Sequence, residues 1–182
     1  MLFRSLKTVV VRRSEANAAA LPGGHVYVFE GLVNKAQSAD ELAGVIAHEI
    51  GHVAHRDGTR SLLQAAGLSF LFGMLLGDFT GGGVVVLAAR TVVQSAYSRE
   101  EESSADLYGV QLMVKIGGDP RAFAAILDSI AGAIEPGVKI LLDHPETKAR
   151  VAAVLASTAA VPADRAPLLA ADEWAALKRI CG

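Results

Sequence analysis

Two histidines and a glutamate stand close enough in this sequence to act on a single atom. The stretch Ala47-His48-Glu49-Ile50-Gly51-His52 reads H-E-x-x-H. On a helix, residues four apart share a face, one turn above the other. His48 and His52 would then aim two imidazoles at one point, with Glu49 beside it. Two imidazoles suit a divalent cation such as zinc, and a neighbouring carboxylate can take a proton from a bound water. The chemistry on offer is metal-assisted hydrolysis. The plain alternative is a helix with two surface histidines, because a five-residue pattern with two free positions also arises by chance.

A catalytic zinc site takes three protein ligands and leaves one position open. His25, His55, His144 and the carboxylates are the candidates for the third ligand. In an extended H-E-x-x-H-x-x-G-x-x-H pattern, His55 would occupy the glycine position and Gly58 the histidine position. His55 therefore reads as a surface residue or a support of the site. Glu102 is the better candidate. In Glu102-Ser103-Ser104-Ala105-Asp106 the two carboxylates are one helical turn apart on one face. Glu102 can reach a metal while Asp106 reaches back to a ligating histidine, fixing its tautomer and ring orientation. Ser103, Ser104 and Ala105 are small enough for a close helix approach. The competing reading, carboxylates solvated at a helix N-terminus, suits Glu100 and Glu101.

The elements that must hold these residues are signalled locally. Ser38-Ala39-Asp40-Glu41 is an S-x-x-E capping box that opens the motif helix. Leu42, Val45, Ile46, Ile50 and Val53 recur at helical spacing and mark its buried face. Gly58 is expected to stop it. Ser98-Arg99-Glu100-Glu101 is a second capping box, and Gly117-Gly118 ends the helix it starts. Asp119-Pro120 pairs an N-cap with a first-turn proline and opens a helix to about Ile134. His144-Pro145 opens another, carrying Arg150, Val151, Val154 and Leu155. A last helix opens at Asp172-Glu173-Trp174, and Trp174 and Leu177 are expected to dock on the domain. Thr8 to Arg12 and His25 to Phe29 read as strands, with residues 14–20 a loop and Leu21-Pro22-Gly23-Gly24 a turn. The predicted class is α+β, mostly helical, with a short sheet above the motif helix. Two strands cannot stand alone, so they must pack on the helices or pair with strands outside this sequence.

The whole chain narrows the partners. Its 182 residues suit one domain, 1–182, with a core of useful size. Hydrophobic residues make up 52% and charged residues 20%; the net charge is −2, with no basic block, which argues against nucleic acid. The lone Cys181 excludes an intrachain disulfide and a cysteine-based zinc site. No secretory signal is visible, and the abrupt opening into a strand suggests a fragment of a longer protein, with any targeting segment outside it. Residues 62–93 form an apolar insertion, Leu62 to Leu76 and Val84 to Val93, broken by Gly77 to Gly83. Each run is short of the roughly 20 apolar residues that a transmembrane helix needs. A packed helical hairpin is the first expectation; a lid, or a contact with a membrane or partner, is the alternative. Residues 160–182 are read as a C-terminal extension.

These stretches together resemble a known family. The matching segments are Asn17 to Gly24, Asp40 to His52, Tyr97-Ser98-Arg99 through Glu102 to Asp106, and His144-Pro145 with Arg150. They run in the order found in the gluzincin zinc peptidases that include HtpX, BepA, LoiP and the CAAX-prenyl-protein endopeptidases. Alanine at position 19 replaces the phenylalanine of the usual Asn-Ala-Phe. The resemblance implies a zinc endopeptidase with one Zn2+ per chain, held by His48, His52 and Glu102. Glu49 would be the general base, and Asp106 and Arg150 would brace the ligands. His144 would donate to the oxyanion, or plug the open position before substrate arrives. His25, Val26, Tyr27 and Val28 would form an edge strand on which an extended polypeptide pairs. The resemblance also implies quality control of unfolded or misassembled proteins in the cell envelope, periplasmic or membrane-associated. The rival reading is a chaperone or adaptor that binds unfolded clients on the same fold with little or no proteolysis; a zinc hydrolase of non-peptide bonds is a third.

Overall fold

Residues 5–76, 97–131, 147–162 and 164–181 are described in a computed structural model of the chain. Three strands, Lys7–Val11 (β1), Ala18–Leu21 (β2) and His25–Phe29 (β3), form one sheet in the order β1-β3-β2. β3 runs parallel to β1, with Val9 beside Tyr27, and antiparallel to β2, with Ala19 beside Tyr27. Gly23 and Gly24, both at positive φ (96° and 86°), reverse the chain between β2 and β3. Two expectations are corrected by this topology. The 14–20 stretch is not all loop: Ala18 to Leu21 is a strand that its alanines, lacking a β-branched signature, do not announce. And β3 is the central strand, with both backbone edges taken, so His25, Val26, Tyr27 and Val28 are not a free edge for substrate.

Val26 and Val28 on β3, with Ala18 and Ala20 on β2, turn inward and are buried. Helix α1 (Glu30–Lys35) follows β3 directly and buries Leu32 and Val33. The motif helix α2 (Ala39–His55) then begins at Ser38, whose Oγ accepts the Glu41 N–H at 3.2 Å. The Glu41 carboxylate accepts the N–H of Gln37, one residue before the cap. The helix does not run on to Gly58. Arg56 takes a left-handed conformation (φ 61°) and its N–H bonds to the carbonyls of His52 and Val53. That reversal lets Asp57 open helix α3 (Asp57–Leu76) at once, with Gly58 inside its first turn.

Helix α4 (Arg99–Ile116) carries the complete capping box: Ser98 Oγ accepts from Glu101 N, and Glu101 Oε2 accepts from Ser98 N. Gly117, at φ 88°, ends it. Helix α5 (Pro120–Ala131) buries Phe123, Ile126, Leu127 and Ile130, and helices α6 (Thr147–Ser157) and α7 (Ala171–Cys181) complete the described elements. α2 lies between the sheet and α4, and the α2–α4 approach is close because small residues face each other. A Cβ on Gly51 would stand 2.9 Å from the Cα of Ala105, and one on Gly109 would stand 3.2 Å from the His48 nitrogen. This tight crossing brings carboxylates of α4 to histidines of α2.

The far end of α2 is clamped. The buried Asp40 accepts from the backbone N–H of Asp119 at 2.8 Å and of Leu168 at 2.9 Å. Trp174 is buried in the core cluster and Leu177 packs against it, while Lys178 Nζ caps the carbonyls of Asn34 and Ala36. The C-terminal segment is thus part of the domain's packing. Of the apolar insertion, Leu62 to Leu76 lies in α3, and residues 77–93 fall outside the described residues. No helix among the described residues is long and apolar enough to cross a membrane. The expected extension of α5 to Ile134 and the His144-Pro145 helix start also fall outside them.

Candidate metal centre

His48 and His52 are buried on one face of α2, and each uses Nδ1 to hold a carboxylate. His48 Nδ1 lies 2.9 Å from Asp106 Oδ1, and His52 Nδ1 lies 2.9 Å from Asp57 Oδ2. A hydrogen bond at Nδ1 sets the orientation of each ring and so where its Nε2 points. The two Nε2 atoms converge to 3.1 Å. Glu102 reaches in from α4, with Oε1 3.5 Å from His52 Nε2 and Oε2 3.7 Å from His48 Nε2. One donor atom from each of the three residues lies within 4.8 Å of the others. Tetrahedral zinc with bonds of about 2.0–2.1 Å keeps its donors about 3.3 Å apart, so this set fits such an ion in both spacing and chemistry.

The outer shell is as ordered as the donors. Arg150, from α6, donates through Nε to Asp106 Oδ2 at 2.8 Å and through Nη2 to Asp106 Oδ1 at 2.6 Å. Its Nη1 stands 2.6 Å from Glu102 Oε2. One buried guanidinium therefore ties together the two carboxylates of the E-x-x-x-D pair. Glu49 is fully buried next to His48, and its charge is felt by His52, Tyr97 and Arg150. The ring of Tyr97 lies flat on His52, with centroids 3.9 Å apart and planes 15° from parallel. The ring of Phe123 lies 5.6 Å from that of His48. Between α4 and α6 a cleft of about 300 Å³ runs past Arg99, Ser103, Leu107 and Ala153, with Glu102, Asp106 and Arg150 on its wall.

The two imidazoles are pulled in opposite directions. Burial drives the His48 pKa down to about 4, helped by the charges of His52 and Arg150 and only partly opposed by Asp106. Burial also acts to lower His52, but hydrogen bonds to Asp57 and Glu102 and the nearby carboxylate charges outweigh it and lift it to about 9. For Asp106, burial favours the neutral acid, but its bonds to Arg150 and His48 win and hold it below the usual carboxylate range. Burial, reinforced by the surrounding carboxylates, pushes the Tyr97 phenol well above its ordinary range.

The structure brings His48, Glu49, His52, Glu102, Asp106 and Arg150 to one place. It leaves His55 aside, edge-on to Tyr108 with ring centroids 5.8 Å apart. His25 is on β3, stacked near Tyr27. His144 lies outside the described residues. Two contributors carry no signal of their role in the sequence: Asp57, which reads as part of a helix end, and Tyr97, which reads only as part of a matching stretch. Asp57 is five residues beyond His52, a spacing that a continuous α-helix does not bring together; the left-handed turn at Arg56 does.

Comparison with known proteins agrees with this geometry. The model of peptidase family M48 matches residues 3–158. A putative beta-barrel assembly-enhancing protease of Vibrio cholerae is 32% identical over 157 residues, covering 78% of this chain and 32% of that protein. The mitochondrial metalloendopeptidase OMA1 of Schizosaccharomyces pombe is 28% identical over 146 residues, covering 78% of this chain and 43% of that protein. A protease HtpX homolog of Pyrococcus furiosus is 36% identical over 129 residues, covering 60% of this chain and 43% of that protein. The chain thus spans between about a third and just under half of the length of these relatives. Its motif helix, its donor set and the extent of the match agree: the chain belongs to peptidase family M48, a family of metallopeptidases.

Proposed function

We propose that this chain is the catalytic domain of a zinc-dependent endopeptidase, with His48, His52 and Glu102 as the ligands. The observation that carries the reading is the convergence of three buried donor atoms within 4.8 Å, each histidine turned by a carboxylate at its other nitrogen. Two imidazoles and one carboxylate with a fourth position open is a catalytic zinc arrangement rather than a closed structural one. When bound there, zinc supplies a Lewis acid for the scissile carbonyl and lowers the pKa of water to about 7.

The chain's own residues do the rest. Glu49, one residue beyond the ligand His48, takes the proton of the attacking water and returns it to the leaving amine nitrogen. Asp106 and Asp57 hold the imidazoles by Nδ1, so that Nε2 of each stays turned to the ion. Arg150 balances the charge of Glu102 and Asp106 and keeps the Glu102 carboxylate from swinging out. An extended polypeptide pairs with the outer edge of β2, the strand that neighbours α2. Among the described residues β2 pairs only with β3, and the Phe29 N–H to Asn17 O bond sets the alternation that turns the backbone groups of Ala18 and Ala20 outward. Ala18 N–H is already taken by the Asn17 side chain, so the pairing would fall to the Ala18 carbonyl and to Ala20.

The substrate class we propose is unfolded or misassembled envelope proteins, acted on in the cell envelope; relatives named beta-barrel assembly-enhancing protease support the protease role. The test is digestion of an unfolded protein such as casein by the zinc-loaded chain, with metal content measured in parallel. Zinc at one per chain, with cutting abolished by a chelator and restored by zinc, is the expected result. Zinc-loaded protein that binds casein without cutting it would replace this reading with that of a client-binding chaperone.

A further inference from the structure

The two histidines are secured by different parts of the chain. His48 is held from within the helical core, by Asp106 of α4 at Nδ1 and by the Phe123 ring of α5. His52 is held by Asp57 and Tyr97. Asp57 is the first residue of α3, and Tyr97 immediately precedes the cap of α4. In the sequence these two residues bracket the largely apolar stretch 58–96.

We propose that Asp57 and Tyr97 are a positioning pair for His52, Asp57 fixing the ring's edge and Tyr97 its plane. The proposal rests on the reading of His52 as a metal ligand. An imidazole's χ2 is a broad torsion that does not choose an orientation unaided. The fully buried Asp57 carboxylate, 2.9 Å from Nδ1, selects the orientation that turns Nε2 toward Glu102 and His48. A ring flip would put a carbon against that carboxylate and lose a charge-assisted hydrogen bond. Asp57 alone still allows the ring to pivot about this bond. Tyr97, only 15° from parallel at 3.9 Å, occupies the space into which one face would pivot. Its contact on His52 is closer than that of Phe123 on His48. The stacking surface is the ring, so the phenol oxygen is not needed for this role.

The test measures zinc affinity by chelator competition and the visible absorption of the cobalt-substituted chain. Each variant's thermal midpoint without added metal is recorded as well. Asp57→Ala and Tyr97→Met are expected to weaken zinc by about 10- to 100-fold and to alter the cobalt spectrum. Tyr97→Phe is expected to match the wild type in both. Asp57→Asn should recover part of the affinity, because its amide oxygen still accepts from Nδ1. Asp40→Asn, which loosens the clamp at the other end of α2, should lower the midpoint and leave zinc affinity and spectrum unchanged. Wild-type affinity and spectrum in both Asp57→Ala and Tyr97→Met would overturn the proposal. So would an equal loss of affinity in Asp40→Asn at an equal fall in midpoint. If Asp57→Ala does not fold, Asp57→Leu, similar in size but unable to accept from Nδ1, decides, and a change under about threefold overturns the role of Asp57. A wild-type chain that binds no zinc would overturn the ligand assignment together with this proposal; zinc binding that the variants leave intact would overturn this proposal alone.

Discussion

Arg150 and Glu102 meet in the interior at 2.6 Å, while the other two nitrogens of the same guanidinium grip Asp106. Two carboxylates and one cation share this buried space, so the arginine is needed for charge balance as well as geometry. Arg150→Ala would leave both carboxylates uncompensated. It is expected to lower stability by about 3–5 kcal/mol, the usual cost of breaking a buried ion pair from one side. Arg150→Lys should rescue little, because an ammonium cannot present the planar fork that spans both carboxylates. Denaturant unfolding of the two variants checks this; a lysine variant as stable as the wild type would contradict it.

Glu49 is assigned proton transfer and no metal bond. Glu49→Gln is therefore expected to bind zinc within a few-fold of the wild type, while peptidase activity falls by about 10²–10⁴. Elemental analysis and casein digestion read the two effects separately. Activity within a few-fold of wild type would remove Glu49 from the mechanism.

Glu101 and Glu102 are neighbours in sequence with separate jobs. The Glu101 carboxylate closes the capping box on the Ser98 N–H, while Glu102 is buried against the histidines. Glu102→Ala should lose the metal. Glu101→Ala should keep it, at a stability cost of about 1 kcal/mol from the weakened cap. Equal zinc content in the two purified variants would show that the third ligand lies elsewhere.

A metal held only by the folded chain stabilises it by mass action. At free zinc 1,000-fold above its dissociation constant, the gain is about 4 kcal/mol. Chelation is expected to lower the thermal midpoint by several degrees, and added zinc to restore it. A midpoint indifferent to chelator and zinc would count against a bound ion in the native state.

Much of this protein is legible in its sequence because the chemistry is local. His48 and His52 share a helix face because 3.6 residues make a turn. Ser38 and Ser98 open their helices and Gly117 ends its own through contacts within a few residues of themselves, so their roles are written in short stretches. The Glu102–Asp106 spacing likewise puts two carboxylates on one face of α4. Tertiary structure decided what such spacing cannot. Asp57 reaches His52 only because Arg56 turns left-handed, and an arginine there carries no sign of it. The alanines of β2 announce no strand; pairing makes them one, and that pairing is what moves β3 from the edge to the centre. Arg150 meets Asp106 across 44 positions of sequence, and Tyr97 meets His52 across the whole apolar stretch between α2 and α4. Side-chain periodicity reports which face of an element is apolar; which elements meet, and through which residues, is decided by the packing of the whole chain.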